Sequence, residues 1–294
     1  MDFLEVLKVI LLGIVEGITE WLPVSSTGHM ILLEKFWPLA NAHEDFHDAF
    51  FYTIQLGAIL AVVCLFFKKL FPFGTEKKEA QDGKMKTVVV AKKETFLLWA
   101  KVLVACLPAL VPAVLELLFG IAIGEMPLII AIALIVYGVA FIVVEYINKK
   151  KNRTFKVEDV HQITFAQAAI IGGAQLLAIV PGTSRSGITI LAALLIGISR
   201  PAGAEFTFFL AVPVMVGASA VKILSALVSG YAFSGADVGY ILIGCVVAFA
   251  VSLAVVKFLM NFVKKHDFAP FGWYRIALGA VVIVLIACNL IPAL

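Results

Sequence analysis

Glu16 and Glu20 in the run GIVEGITEW stand four residues apart, so a helix through them puts both carboxylates on one face. The stretch around them is apolar, where each ionisable group costs about 2.5–3.5 kcal/mol on insertion scales and like charges one turn apart repel. A cation between them would relieve that cost. A hard divalent ion such as Mg²⁺ or Ca²⁺ suits carboxylate oxygens, and a bound diphosphate would supply its remaining ligands. The same spacing also serves a helix cap or a structural bridge to an arginine.

Pro23-Val24-Ser25-Ser26-Thr27-Gly28-His29 follows directly, placing three hydroxyls and an imidazole on a breaker-rich turn. Serine needs a base to become a nucleophile, and His29 is the nearby side chain whose ordinary titration range suits that task. Ser25, Ser26 and Thr27 equally suit capping of a helix that starts near Gly28, and some of the three must do that. A second turn, Pro181-Gly182-Thr183-Ser184-Arg185-Ser186-Gly187, carries one guanidinium among small residues. Arginine grips phosphate bidentately, and Gly/Ser backbone N–H groups at a helix start form an anion nest. Phosphate binding is its natural use; the alternative pairs Arg185 with Glu16 or Glu20.

The elements that must hold these turns are membrane helices. The 294 residues are 62% hydrophobic and only 15% charged, with a mean hydropathy of +1.04. Six stretches are long and apolar enough to span a bilayer, at 49–67, 96–119, 128–144, 206–228, 238–263 and 273–291. Lysines and arginines crowd the connections after 67, 144 and 263, whereas the turns near Glu125 and at 229–237 hold none. The positive-inside rule therefore makes the first three connections cytoplasmic.

Two further apolar stretches, 4–33 and 163–198, are broken by Gly, Pro, Ser, Thr and charged residues and make no clean span. Parity places the first on the outer side and the second on the inner side, each entering and leaving by one face as a re-entrant hairpin. Irregular backbone at membrane depth is tolerated where it is buried in protein or lines a cavity. The hairpins also match each other: at an offset of 159, Gly13, Glu16, Ser25, Gly28, Ile31 and Leu32 meet Gly172, Gln175, Ser184, Gly187, Ile190 and Leu191. The expected fold is an all-α polytopic membrane protein with an inverted-topology repeat, each half one re-entrant helical hairpin plus three spans. Residues 1–147 form the first half, 148–162 a basic cytoplasmic linker and 163–294 the second half.

GIVEGITEWLPVSSTGH together with PGTSRSG resembles the paired signature of the undecaprenyl-diphosphate phosphatases of the bacitracin-resistance type, over essentially the whole chain. The resemblance implies cation-dependent removal of the terminal phosphate from undecaprenyl diphosphate, regenerating the carrier lipid of cell-wall synthesis. It places the family's functional positions on Glu16, Glu20, Ser26, His29 and Arg185, with Ser25, Thr27, Ser184, Ser186 and Gly187 lining the substrate. Glu16 and Glu20 would hold Mg²⁺ or Ca²⁺. Ser26 would attack phosphorus with His29 shuttling the proton, or water would attack with His29 as base. A site open to the extracytoplasmic face of the bacterial inner membrane and a capacity to form homodimers are also implied.

A rival from another class is a lipid transporter or flippase, since broken helices in inverted repeats are a transporter architecture. It would have little need of a Ser/His pair. His43-Glu44-Asp45-Phe46-His47 spells the H-E-x-x-H of zinc peptidases but has no evident third ligand, and reads better as a polar entry to the next span. Lys101, Glu116, Glu145, Lys222, Lys257 and Arg275 read as bundle-facing or interfacial charges. The 75–93 stretch reads as a solvated, mobile loop, and Cys64, Cys106, Cys245 and Cys288 as lone packing residues. Charges within the first apolar segment argue against a cleaved leader, and a net charge of +3 gives no footing for nucleic acid.

Overall fold

The computed structural model describes residues 2–41, 43–79, 85–111 and 126–292. Helices dominate it. The first broken stretch forms α1 (Phe3–Thr19) and α2 (Ser26–Phe36), followed by α3 (Glu44–Leu65) and the short α4 (Phe67–Leu70). After a two-stranded ribbon, β1 (Phe73–Glu79) and β2 (Met85–Ala91), come α5 (Lys93–Cys106) and α6 (Pro127–Lys150). The second broken stretch forms α7 (Phe165–Gln175) and α8 (Arg185–Leu195), and α9 (Arg200–Val228), α10 (Gly235–Phe262) and α11 (Ala269–Ala287) complete the chain.

Five of these helices, α3, α6, α9, α10 and α11, are long and apolar enough to cross a membrane. The chain is a multi-pass membrane protein. The span expected at 96–119 begins as α5 and continues through a 3₁₀ turn at Leu107–Ala109; its residues 112–119, with Glu116 and the turn at Glu125, lie outside the described residues. The expected loop at 75–93 is different from the reading above: β1 and β2 pair antiparallel from Phe73↔Ala91 to Glu79↔Met85. A Thr87-Val88-Val89-Val90 run supplies the β-branched residues that favour an extended pair over a loose connection.

Helix starts follow local rules. Thr164 with Gln167, and Ser234 with Asp237, form reciprocal capping boxes at α7 and α10, and Ser199 caps α9. In lipid there is little hydrophobic drive between helices, so close packing and polar contacts decide who neighbours whom. At Gly57 in α3 a Cβ would stand 2.2 Å from the Cys245 carbonyl oxygen, so only glycine lets α3 and α10 approach this closely. The helices pair as α1 on α10, α3 between α9 and α10, α5 against α7, and α6 along α11. Large apolar side chains such as Val228, Val246 and Leu224 cover the outside, as lipid contact requires.

One buried ion pair fixes the end of the bundle remote from α2. Glu145 of α6, 1% exposed, accepts from Arg200 Nε at 2.8 Å and Nη2 at 2.5 Å, and from the Phe268 backbone N–H at 3.0 Å. It joins the starts of α9 and α11 to α6. Lys69 and Glu205 add a second pair at 2.6 Å.

Candidate active site

Both hairpins break in the same way. After α1 the chain turns through Glu20–Val24 and enters α2 with Ser25 at φ 75°, its Oγ accepting from the Gly28 N–H at 3.4 Å. After α7 a 3₁₀ turn at Leu176–Ile179 leads to Ser184 at φ 69°, whose Oγ accepts from the Gly187 N–H at 3.1 Å. The register foreseen from sequence thus survives at the level of single hydrogen bonds. Gly182 sits at φ 88° with a hypothetical Cβ 2.7 Å from the Ile130 carbonyl oxygen, so the second turn admits no side chain there.

The two turns meet through charge. Arg185 Nη2 donates to Glu20 Oε1 at 2.7 Å, and Ser26 Oγ donates to Glu20 Oε2 at 2.7 Å. A single carboxylate therefore stands between the hydroxyl of one hairpin and the guanidinium of the other. Nη2 of Arg185 also reaches Met215 Sδ at 3.2 Å, while its Nη1 is buried without a protein partner. Glu16, one turn before Glu20 and 2% exposed, likewise has an unpartnered buried oxygen, Oε1. An unpaired carboxylate oxygen and an unpaired guanidinium nitrogen so close to one site are expensive unless a ligand completes them.

A cavity of about 190 Å³ opens beside this line, walled by Glu20, Ser26, Thr27, Ser184, Arg185 and Ser186 together with Ser25. A second, of about 280 Å³, is bordered by Glu16, Glu34, His47 and Asp48. The two share Ser26, Thr27, Tyr52 and Gln55, so they form one polar passage. Thr27, Ser184 and Ser186 border the first cavity. Gly187 does not line the cavity: it backs the turn, its hypothetical Cβ 3.3 Å from Arg275 Nη1.

The expected Ser26/His29 pair is not made. His29 Nδ1 lies 2.7 Å from the Ser25 carbonyl oxygen, and Nε2 lies 2.7 Å from the Tyr274 hydroxyl, the two rings stacking at 5.6 Å. A carbonyl only accepts, so Nδ1 carries the proton, and in the neutral ring Nε2 accepts from Tyr274. His29 borders a separate apolar recess with Val15, Leu32, Leu33, Phe36 and Trp37. Ser26, Thr27, Met30, Ile31 and Glu34 border the polar passage, and His29 does not. Residues three apart are neighbours on a helix, so it is the contacts of the His29 ring with Ser25 and Tyr274 that hold it away, and Glu20 takes the contact with Ser26.

His43 and His47 do not converge either. His43 precedes α3 and packs on the Tyr231 ring at 4.7 Å, whereas His47 Nδ1 pairs with Glu34 Oε1 at 2.9 Å. Among the described residues no three His, Cys, Asp or Glu side chains gather to hold a metal. Arg275, read from sequence as either bundle-facing or interfacial, is bundle-facing; its contacts with the two turns are what the sequence does not show. Standing near the start of a span, it is wholly buried and donates to the carbonyl oxygens of Pro23, Gly182 and Thr183. Tyr52, Gln55 and Tyr274 were missed, since an isolated polar residue in a span carries no motif.

Residues 9–281 match the family model described as bacitracin resistance protein BacA. The chain belongs to the BacA family. An undecaprenyl-diphosphatase of Enterococcus faecalis is 53% identical over 287 residues, covering 98% of this chain and 99% of the relative. Undecaprenyl-diphosphatases of Lachnoclostridium phytofermentans and Desulfitobacterium hafniense are 50% and 49% identical, covering 96% and 99% of this chain and 97% and 99% of the relatives. Membership in the BacA family matches the resemblance carried by the two turns.

Proposed function

We propose that this chain is a phosphohydrolase that converts undecaprenyl diphosphate to undecaprenyl phosphate and inorganic phosphate, recycling a cell-wall carrier lipid. The observation that carries the reading is the Ser26–Glu20–Arg185 line joining the two turns. The names of relatives that match nearly end to end support the substrate.

Arg185, with its free Nη1, and the N–H groups of the second turn bind the diphosphate oxygens. Binding draws Arg185 away from Glu20, whose Oε2 stays with Ser26. Ser26 Oγ attacks the terminal phosphorus as its proton passes to Glu20 Oε2, and the bond from phosphorus to the bridging oxygen breaks. Undecaprenyl phosphate leaves, and water displaces Oγ from the phosphoserine to release inorganic phosphate. Phosphoryl transfer asks chiefly for positioning and charge stabilisation, both of which the line provides. Direct attack by water, with Glu20 as base, uses the same contacts. His29, held between Ser25 and Tyr274, positions the first turn instead of shuttling the proton.

Glu16 and Glu20 fit a hard divalent ion such as Mg²⁺ or Ca²⁺: their carboxylates sit one turn apart, and Glu16 Oε1 is buried with no protein partner. Such an ion would offset charge building on the transferred phosphoryl group. Two protein carboxylates leave most of its shell to substrate and water.

The halves 1–147 and 163–294 are read as an inverted repeat, with the passage open to the extracytoplasmic face of the inner membrane. The matched Ser25 and Ser184 caps support this, as does the exchange in which α1 packs on α10 and α7 on α5. Impermeant thiol labelling of Trp37→Cys and Lys151→Cys tests the orientation; labelling of both from one side of the membrane would refute it. The function is tested by phosphate release from undecaprenyl diphosphate by purified protein, beside Arg185→Ala and with excess EDTA. Release lost in both arms is expected. Folded protein that binds the lipid and releases nothing would refute the reading.

A further inference from the structure

Arg275 is a cation in the membrane-embedded core whose hydrogen-bond acceptors are carbonyl oxygens and not a carboxylate. Nη1 donates to the Pro23 oxygen at 3.2 Å in the first turn, and Nη2 donates to Gly182 and Thr183 oxygens at 2.8 and 3.0 Å in the second. The guanidinium carbon lies 5.9 Å from the Tyr137 ring centroid. One side chain from α11 thus holds both breaks from behind.

The carbonyls it holds decide where the neighbouring N–H groups point. Within a trans peptide C=O and N–H are antiparallel, so fixing the Thr183 oxygen on Arg275 turns the Ser184 N–H to the other side. The Gly182 oxygen is fixed likewise, and the matching Thr183 N–H closes the turn on the Val180 oxygen at 3.2 Å. The N–H groups of Ser184, Arg185 and Ser186 have no protein acceptor among the described residues, and all three residues line the cavity. They form the donor nest at the start of α8.

We propose that Arg275 is a positioning residue: it aims the phosphate-binding N–H groups of the second turn and sets that turn against Ser26. This rests on the phosphohydrolase reading. Lysine at the position would keep the charge but could not hold three carbonyls in a planar fork. Gly187, against which Nη1 lies, leaves the room that the fork needs.

The test uses full-length Arg275→Lys and Arg275→Gly beside wild type, with turnover counted per folded molecule and melting followed with and without inorganic pyrophosphate. In Arg275→Lys, kcat falls by about 10²-fold, the loss typical of one misaimed oxyanion donor, with little change in KM. The rise in melting temperature given by pyrophosphate shrinks with it. Millimolar guanidinium, and not tetramethylammonium, restores part of the turnover of Arg275→Gly. Wild-type kcat with a wild-type pyrophosphate shift in the lysine variant would overturn the proposal. So would guanidinium that restores melting of Arg275→Gly without turnover, or failure of both variants to fold with or without it. If wild type releases no phosphate the phosphohydrolase reading fails, while the pyrophosphate shift still reports on the nest.

Discussion

Glu20→Gln isolates the carboxylate that both turns share. The substitution keeps shape and one acceptor oxygen but removes the charge facing Arg185 Nη2 at 2.7 Å and the acceptor of the Ser26 proton. Charge centres about 4 Å apart attract by about 4 kcal/mol at an effective dielectric of 20. Both side chains are largely buried, so breaking the pair falls in the range of about 3–5 kcal/mol seen when one buried partner is lost. At roughly 2–4 °C per kcal/mol, the empty protein should melt on the order of 6–20 °C lower. Turnover should fall by about 10²–10⁴, the usual worth of a general base. Inorganic pyrophosphate without metal should bind more tightly than to wild type, because Arg185 is released and a repelling charge is gone. Thermal melts, phosphate release and calorimetric binding of pyrophosphate read the three effects separately. A variant that keeps more than about a tenth of wild-type turnover would refute the assignment of Glu20 as base. Pyrophosphate binding as weak as in Arg185→Ala would refute the claim that the carboxylate competes with the anion.

Ser26→Ala should lose essentially all turnover, and acid-quenched single-turnover reactions of wild type should carry phosphate on Ser26; an unlabelled protein under single turnover leaves only the direct water route. His29→Gln and Tyr274→Phe break the same contact, so the double variant should turn over no more slowly than the worse single one; multiplicative losses would mean that His29 acts on its own. Glu145→Gln removes the charge paired with Arg200 and should cost about 3–5 kcal/mol in melting measurements while turnover per folded molecule stays at wild type. A turnover loss there without a melting change would contradict its structural role.

Much of this architecture was legible because membrane helices advertise themselves by length and hydropathy, and because breakers repeated at one offset fall at equivalent turns. Ser25 and Ser184 illustrate the second point: sequence placed them in register, and the structure gives them the same cap and backbone sign. Side-chain direction was harder to read. Ser26 and His29 are three apart, close enough to look like a pair, but on α2 they open to different cavities. The role of Arg275 was hidden for another reason, since a charge near a span end can be bundle-facing or interfacial until the tertiary partner is known. The ribbon at Phe73–Ala91 was obscured by its lysines, which outweighed a β-branched run in a reading based on charge.

The left-handed serines impose a conflict between durability and turnover. Side chains other than glycine at such backbone angles cost on the order of 1–3 kcal/mol, whereas replacing a serine cap by glycine forfeits only a few tenths. Glycine at 25 or 184 should therefore make the protein harder to melt while stripping a hydroxyl from the cavity wall. Selection for heat resistance alone should drift toward Ser25→Gly and Ser184→Gly, and selection for growth should hold the serines in place. Heat-selected libraries that never enrich glycine at either position would argue that the hydroxyl caps outweigh the strain they hold.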